Sequence, residues 1–133
     1  MDTPNIVTRN FDSILSLIRS TKDRIIKTVN TEIIELYWQI GKELSEKAKN
    51  GGWGNSVVEE LSNQITANFG NLRGFSPQNI WRMKQFYETY KDNQILSTLL
   101  REISWSNNLL VMSRSKNDEE RIFYIKLAIE EKY

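Results

Sequence analysis

The chain has 133 residues, 39% hydrophobic and 26% charged, with a formal net charge of +1 and neither cysteine nor histidine. That length and balance specify one globular domain able to bury a core. Without His or Cys there is no Ser-His-Asp triad, thiolate nucleophile or disulfide, and a metal site would need oxygen ligands alone.

No run approaches the ~18 apolar residues of a membrane span. "MDTPNIVTRNFDS" lacks the basic-then-apolar pattern of a signal peptide. A cytoplasmic protein with no membrane partner is expected. Six glycines, two prolines and almost no strict apolar–polar alternation specify helices throughout.

The first helix is expected over about residues 10–48, after an N-terminal arm at 1–9. Ile14, Ile18, Ile25, Val29, Ile33, Leu36, Ile40 and Leu44 form one apolar stripe. "KNGGWG" ends it, with Gly51 and Gly52 as breakers and Trp53 folding back on the core. At 1.5 Å per residue such a helix would reach roughly 55 Å, longer than a small domain is wide. It must bend, near "STKD", or extend past the domain and need another chain over its stripe. Leu36, Tyr37 and Trp38 together predict burial on more than one side.

The second helix is "SVVEELSNQITANF", with Val57, Val58, Leu61, Ile65 and Phe69 on one face. "GNLRGF" ends it. The third is "SPQNIWRMKQFYETY", with Ser76 as N-cap and Pro77 at the first helical position. Shorter helices follow in "NQILSTLLREI" and "SWSNNLLVMS". The last, "NDEERIFYIKLAIEEKY", opens on three acids that suit the helix dipole. Ile122, Ile125, Leu127 and Ile129 form its apolar face, with Phe123 and Tyr124 wrapping round.

The third helix carries the functional signal. At about 100° per residue, Ile80, Met83, Phe86, Tyr87 and Tyr90 form a core face. Gln78, Arg82, Gln85 and Thr89 lie opposite. Gln pairs bidentately with adenine and Arg with guanine in the major groove. An amphipathic second helix after a turn is the plan of a helix-turn-helix reader, although "GNLRG" is longer than the tight version. Arg73 sits in this turn, where a phosphate could meet the helix N-terminus. Residues 71–101 carry the one basic block, +3 from Arg73, Arg82, Lys84, Lys91 and Arg101 against Glu88 and Asp92. The same residue types also suit an ordinary solvated face. Trp81, at the border of the stripe, reads as a rim of the core or a wedge against a base. Asn79 is nearer the core and is not read as a base contact.

Glu130 and Lys132 form an E-x-K, but no Pro-Asp precedes it, and on a helix residues two apart do not face each other. "NGGWG" lacks the Lys-Ser/Thr of a phosphate loop. No nuclease site, catalytic residue, cofactor or small-molecule substrate is expected.

"LYWQIGKEL", "WGNSVVEELSNQI", "GFSPQNIWRMKQFYETY" and "ISWSNNLLVMSRSKNDEERIFYIKLAIEEKY" resemble, in this order and spacing, the N-terminal domain of the YhcG family. The resemblance covers about residues 12–133. Phe75, Ser76, Asn79, Ile80, Trp81, Met83, Lys84, Phe86 and Tyr87 match one family run. Ile103, Ser104, Trp105 and Ser106 match another, in which Asn107 replaces a His. In full-length members a PD-(D/E)XK nuclease-like domain follows. The resemblance implies a helical, helix-turn-helix-like domain with a DNA-binding role, cut from a longer protein and not itself cleaving DNA.

The expected architecture is all-α: a long helix, a helix-turn-helix-like unit at about 55–90 and C-terminal helices at about 93–133, in one domain over 10–133. Gln78, Arg82 and Gln85 are the candidate base contacts, and Arg73, Lys84 and Lys91 the phosphate contacts. DNA is the expected partner, in a homo-oligomer. The alternative is a protein-interaction or oligomerisation module acting through the long first helix.

Overall fold

A computed structural model describes residues 11–49 and 55–131. The expectations for the N-terminal arm, the Gly51–Gly52 stop and Trp53 fall outside these residues. The described residues form six α-helices and no strand: α1 (Asp12–Lys49), α2 (Asn55–Phe69), α3 (Pro77–Tyr90), α4 (Gln94–Leu99), α5 (Trp105–Arg114) and α6 (Asp118–Glu130). A 3-10 turn at Leu100–Glu102 continues α4. The all-α architecture with a long first helix is as the periodicity predicts.

Short polar side chains start each of the later helices. The Ser76 hydroxyl accepts from Asn79 N at α3, and Asn93 Oδ1 accepts from Leu96 N at α4. Ser104 Oγ accepts from Asn107 N at α5, and Asn117 Oδ1 from Glu120 N at α6. Each bond satisfies an amide that the first helical turn leaves without a partner. Lys116 N also donates to the Glu120 carboxylate, so the start of α6 is closed from both directions.

Helix α3 is the hub. Its Ile80, Met83, Phe86 and Tyr90 are fully buried. At its C-terminal half, Phe86 and Tyr90 join Ile34 of α1, Leu96, Leu100, Ile103, Val111 and Ile125 in the main core. At its N-terminal half, Ile80 joins Leu44 of α1 and Val58 of α2 in a second cluster. Phe69, expected on the buried face of α2, is exposed at the end of that helix, as is Leu127 on α6.

Helix α1 is continuous over 38 residues, through Ser20–Asp23, about 57 Å along its length. It crosses α3 through Ile34, Tyr37, Gly41, Leu44 and Ser45. Tyr37 and Trp38 pack edge-on against Trp105 and Phe86. Leu36 does not join them: it is exposed, because it lies on a different side of the helix. The Asn30 amide donates to the carbonyls of Arg101 and Ile103, and Arg101 pairs with Glu35. These bonds mark where α1 leaves the body. From Phe11 to Val29 every large apolar side chain of α1 is exposed. The stripe read from the periodicity is therefore not the core-facing side. Of its eight residues only Leu44 is buried, with Ile40 partly so.

The α1–α3 crossing is closest at Gly41. A Cβ there would fall inside the Met83 carbonyl oxygen and 2.7 Å from its carbon. Both atoms belong to backbone, so neither can rotate away. Gly41→Ala would gain about 1 kcal/mol of helix propensity, yet overpacking of this kind costs typically 1–3 kcal/mol, more when backbone must move. The expected outcome is a net loss of about 2 kcal/mol in urea denaturation, whereas Lys42→Ala on the exposed side stays within about 0.5 kcal/mol. Equal stability of Gly41→Ala and the parent would contradict the close crossing.

Candidate nucleic-acid interface

The turn between α2 and α3 is held by its own glycines and by buried polar bonds. Gly70 and Gly74 both have positive φ, at 78° and 95°. At Gly74 a side chain would also strike the Tyr37 hydroxyl. The Ser62 hydroxyl donates to Phe75 O at 2.6 Å and ties α2 to the residues just before α3. Asn79 makes the longest-range link. Its Nδ2 donates to Gly74 O at 2.6 Å, and its Oδ1 accepts from Trp105 Nε1 at 2.8 Å. One side chain thus joins the turn, α3 and α5.

With α3 fixed in rotation, Gln78, Arg82 and Gln85 face outward and are exposed, while Thr89 is half-buried. The stripe has a concavity on either side. Toward α2 lies a groove of about 390 Å³, bordered by Val58, Glu59, Gln78, Trp81, Arg82 and Gln85. Toward α5 lies one of about 620 Å³, bordered by Arg82, Gln85, Thr89, Ser106, Ser113 and Arg121 among others. Arg82 and Gln85 border both. Among the described residues neither makes a hydrogen bond or ion pair, so their polar groups are available to a ligand.

The other cations divide. Arg73 is exposed in the turn before α3, while Lys91 caps the far end of α3, half-buried and about 180° round the helix from Arg82. The length of α3 puts them roughly 20–25 Å apart. Lys84 is already occupied: its ammonium pairs with Glu88 at 3.1 Å and lies 5.0 Å from the centre of the Trp81 ring. Arg101 is committed to Glu35. The +3 block of the sequence is therefore not one basic face. Glu59, which sequence reasoning had not connected with the stripe, adds a negative charge to its α2 side. Asn79 and Trp105 were also missed as positioning residues. Nothing in helical periodicity signals a bond between side chains 26 residues apart.

Glu88 lies on the side of α3 toward Ser45 of α1. Burial raises its carboxyl, but the Ser45 hydroxyl at 2.8 Å and the Lys84 ammonium outweigh that and hold it below the ordinary value. A lowered carboxyl stabilises the fold above its unfolded value and loses that contribution as pH falls through the folded one. Ser45→Ala is expected to be less stable than the parent at neutral pH, with the difference closing as Glu88 protonates in acid. Urea denaturation at pH 7 and at about pH 3 reads both arms. Asn79→Ala, which removes the acceptor of Trp105 Nε1 and the donor to Gly74 O, is expected to cost about 1–3 kcal/mol by the same measurement.

Among the described residues no group of three or more His, Cys, Asp or Glu could hold a metal ion, and no helix is long and apolar enough to cross a membrane.

Comparison with known proteins gives the relationship. A family model for the DUF1016 N-terminal domain matches residues 13–133. The curated protein named "Putative nuclease YhcG" of Escherichia coli (strain K12) is 26% identical over 97 residues. The match covers 70% of this chain and 25% of that protein, so the chain corresponds to a minor part of its relative's length. No solved structure matches. The chain belongs to the DUF1016 N-terminal domain family.

Proposed function

We propose that this domain binds duplex DNA through the exposed stripe of α3 and brings to it a nuclease-like domain carried by the full-length protein. The observation that carries the reading is the pair Arg82 and Gln85, exposed, without partners among the described residues and shared by two concavities. Arg and Gln offer the bidentate geometry that distinguishes guanine and adenine edges. Gln78 lies one turn before Arg82 and extends the same row toward the α3 N-terminus.

Arg73 and Lys91, at the two ends of α3, serve as phosphate contacts. Lys84 is a weaker candidate, since phosphate would have to compete with Glu88 for it. Glu59 acts against nonspecific attraction and restricts how closely the α2 side approaches a phosphate strand. The domain itself is read as non-catalytic. The relative named "Putative nuclease YhcG" is several times longer than the matched segment, which fits a division in which cleavage belongs elsewhere in the full-length protein.

The test is fluorescence anisotropy with a labelled mixed-sequence duplex at several salt concentrations. Two phosphate contacts, Arg73 and Lys91, give a log–log salt slope of about −1.8 per chain. Arg82→Glu is expected to remove measurable binding while leaving the helical circular dichroism unchanged. Gln85→Ala weakens preferred sites more than random duplex, by about 1–3 kcal/mol of discrimination. A folded parent chain that binds no duplex at low salt would refute the proposal.

A further inference from the structure

The exposed side of α1 carries a pattern that the body of the protein does not use. Phe11, Leu15, Ile18, Lys22, Ile25, Val29, Glu32 and Leu36 follow one another at alternating spacings of four and three. That is the heptad repeat of a coiled-coil seam. Six of the eight are apolar. Ile18 is 50% exposed, Ile25 57%, Val29 51% and Leu36 47%, while Ile14 and Ile33, which flank the seam, are also exposed. At about 100° per residue the seam lies roughly 110° round the helix from the side that meets α3. Its spacing runs on in register from the projecting half of α1 onto the docked half, so a partner helix could lie along it beside the body.

Two charges interrupt the seam, and they identify the occupant. Lys22 and Glu32 are both exposed and have no ion-pair partner among the described residues. We propose that α1 pairs with α1 of a second copy of this chain, antiparallel, about a two-fold axis level with Lys27 along the helix and passing between Ile25 and Val29 on the seam side. In that register Lys22 meets the partner's Glu32 and Glu32 meets the partner's Lys22. The same register sets Ile25 against the partner's Val29 and Ile18 against the partner's Leu36, each twice, as an isologous contact requires. Sliding one helix by a heptad either way sets Glu32 against an apolar residue, Leu15 or Val29. A parallel, in-register pair sets Lys22 beside Lys22 and Glu32 beside Glu32. Charges in a seam add little stability but exclude the pairings that leave them uncompensated. Self-pairing covers Ile18, Ile25, Val29 and Leu36 and matches both charges with no other molecule involved.

The inference is independent of DNA binding, and its readouts do not involve DNA. Sedimentation equilibrium of this chain at micromolar concentrations is expected to give a dimer. Ile25→Glu, in the projecting half of α1, is expected to weaken it by about 100-fold, with an unchanged near-ultraviolet circular dichroism of the Tyr37, Trp38, Phe86 and Trp105 cluster showing that the body is intact. Lys22→Glu and Glu32→Lys should each weaken the dimer, and the double exchange should restore it. The chain has no cysteine, so orientation can be read directly. Chains carrying Ile25→Cys mixed with chains carrying Val29→Cys should form the mixed disulfide on oxidation in preference to either symmetric one. A monomeric parent chain, a double exchange that fails to restore association, or preferential Ile25→Cys self-linkage would each overturn the proposal.

Discussion

The arrangement depends on how closely α1 and α3 approach at Gly41. Backbone meets backbone there, with the Met83 carbonyl occupying the space of the missing side chain. That contact lets Tyr37 and Trp38 on one side, and Leu44 and Ser45 on the other, reach across α3 together. A larger residue would separate the helices and open both clusters at once, because packed interiors accommodate even one added methyl poorly.

The same contact decides what α3 can show to the outside. Its rotation is set by four buried residues facing inward and by Asn79, which ties its first turn to Trp105 of α5. Gln78, Arg82 and Gln85 are left outward as a consequence. A surface stripe on a helix packed on three sides has little freedom to tilt, and a preorganised row of side chains spends less entropy on binding. The proposed interface is thus a by-product of core packing: whatever loosens the α1–α3 crossing also misaligns the stripe. The neighbouring carboxylates matter as much as the cations. Glu35 and Glu88 neutralise Arg101 and Lys84, and Glu59 stands beside Arg82. What remains is a narrow polar row rather than a broad basic patch, which suits reading base edges better than bulk attraction to a backbone.

Helix α1 has two apolar sides, and they answer to different partners. One, from Ile34 to Ser45, belongs to the body. The other, from Phe11 to Leu36, remains outside it. A projecting helix of this length has little reason to be stable alone in water, since most helical stability comes from a packed face. An exposed apolar row this long calls for a cover. The self-paired arrangement would supply that cover and place two bodies, each with its own α3 stripe, at opposite ends of a common rod.

The sequence by itself determined the helices, their order and most of their limits. Apolar periodicity, Ser76–Pro77 and the acidic start of α6 are local signals, and helix formation answers to local signals. It also determined which side of α3 is buried, because there the apolar and polar faces are cleanly separated. Only the tertiary structure decided which side of α1 meets the body. Periodicity records that a face is apolar, not what covers it, and α1 has more apolar surface than one small body can bury. Tertiary structure likewise decided that Leu36 is exposed beside a buried Tyr37, and that Arg101 finds Glu35 from 66 residues away. These outcomes rest on contacts between distant segments, where the approach of one glycine to one carbonyl fixes the geometry of everything packed around it.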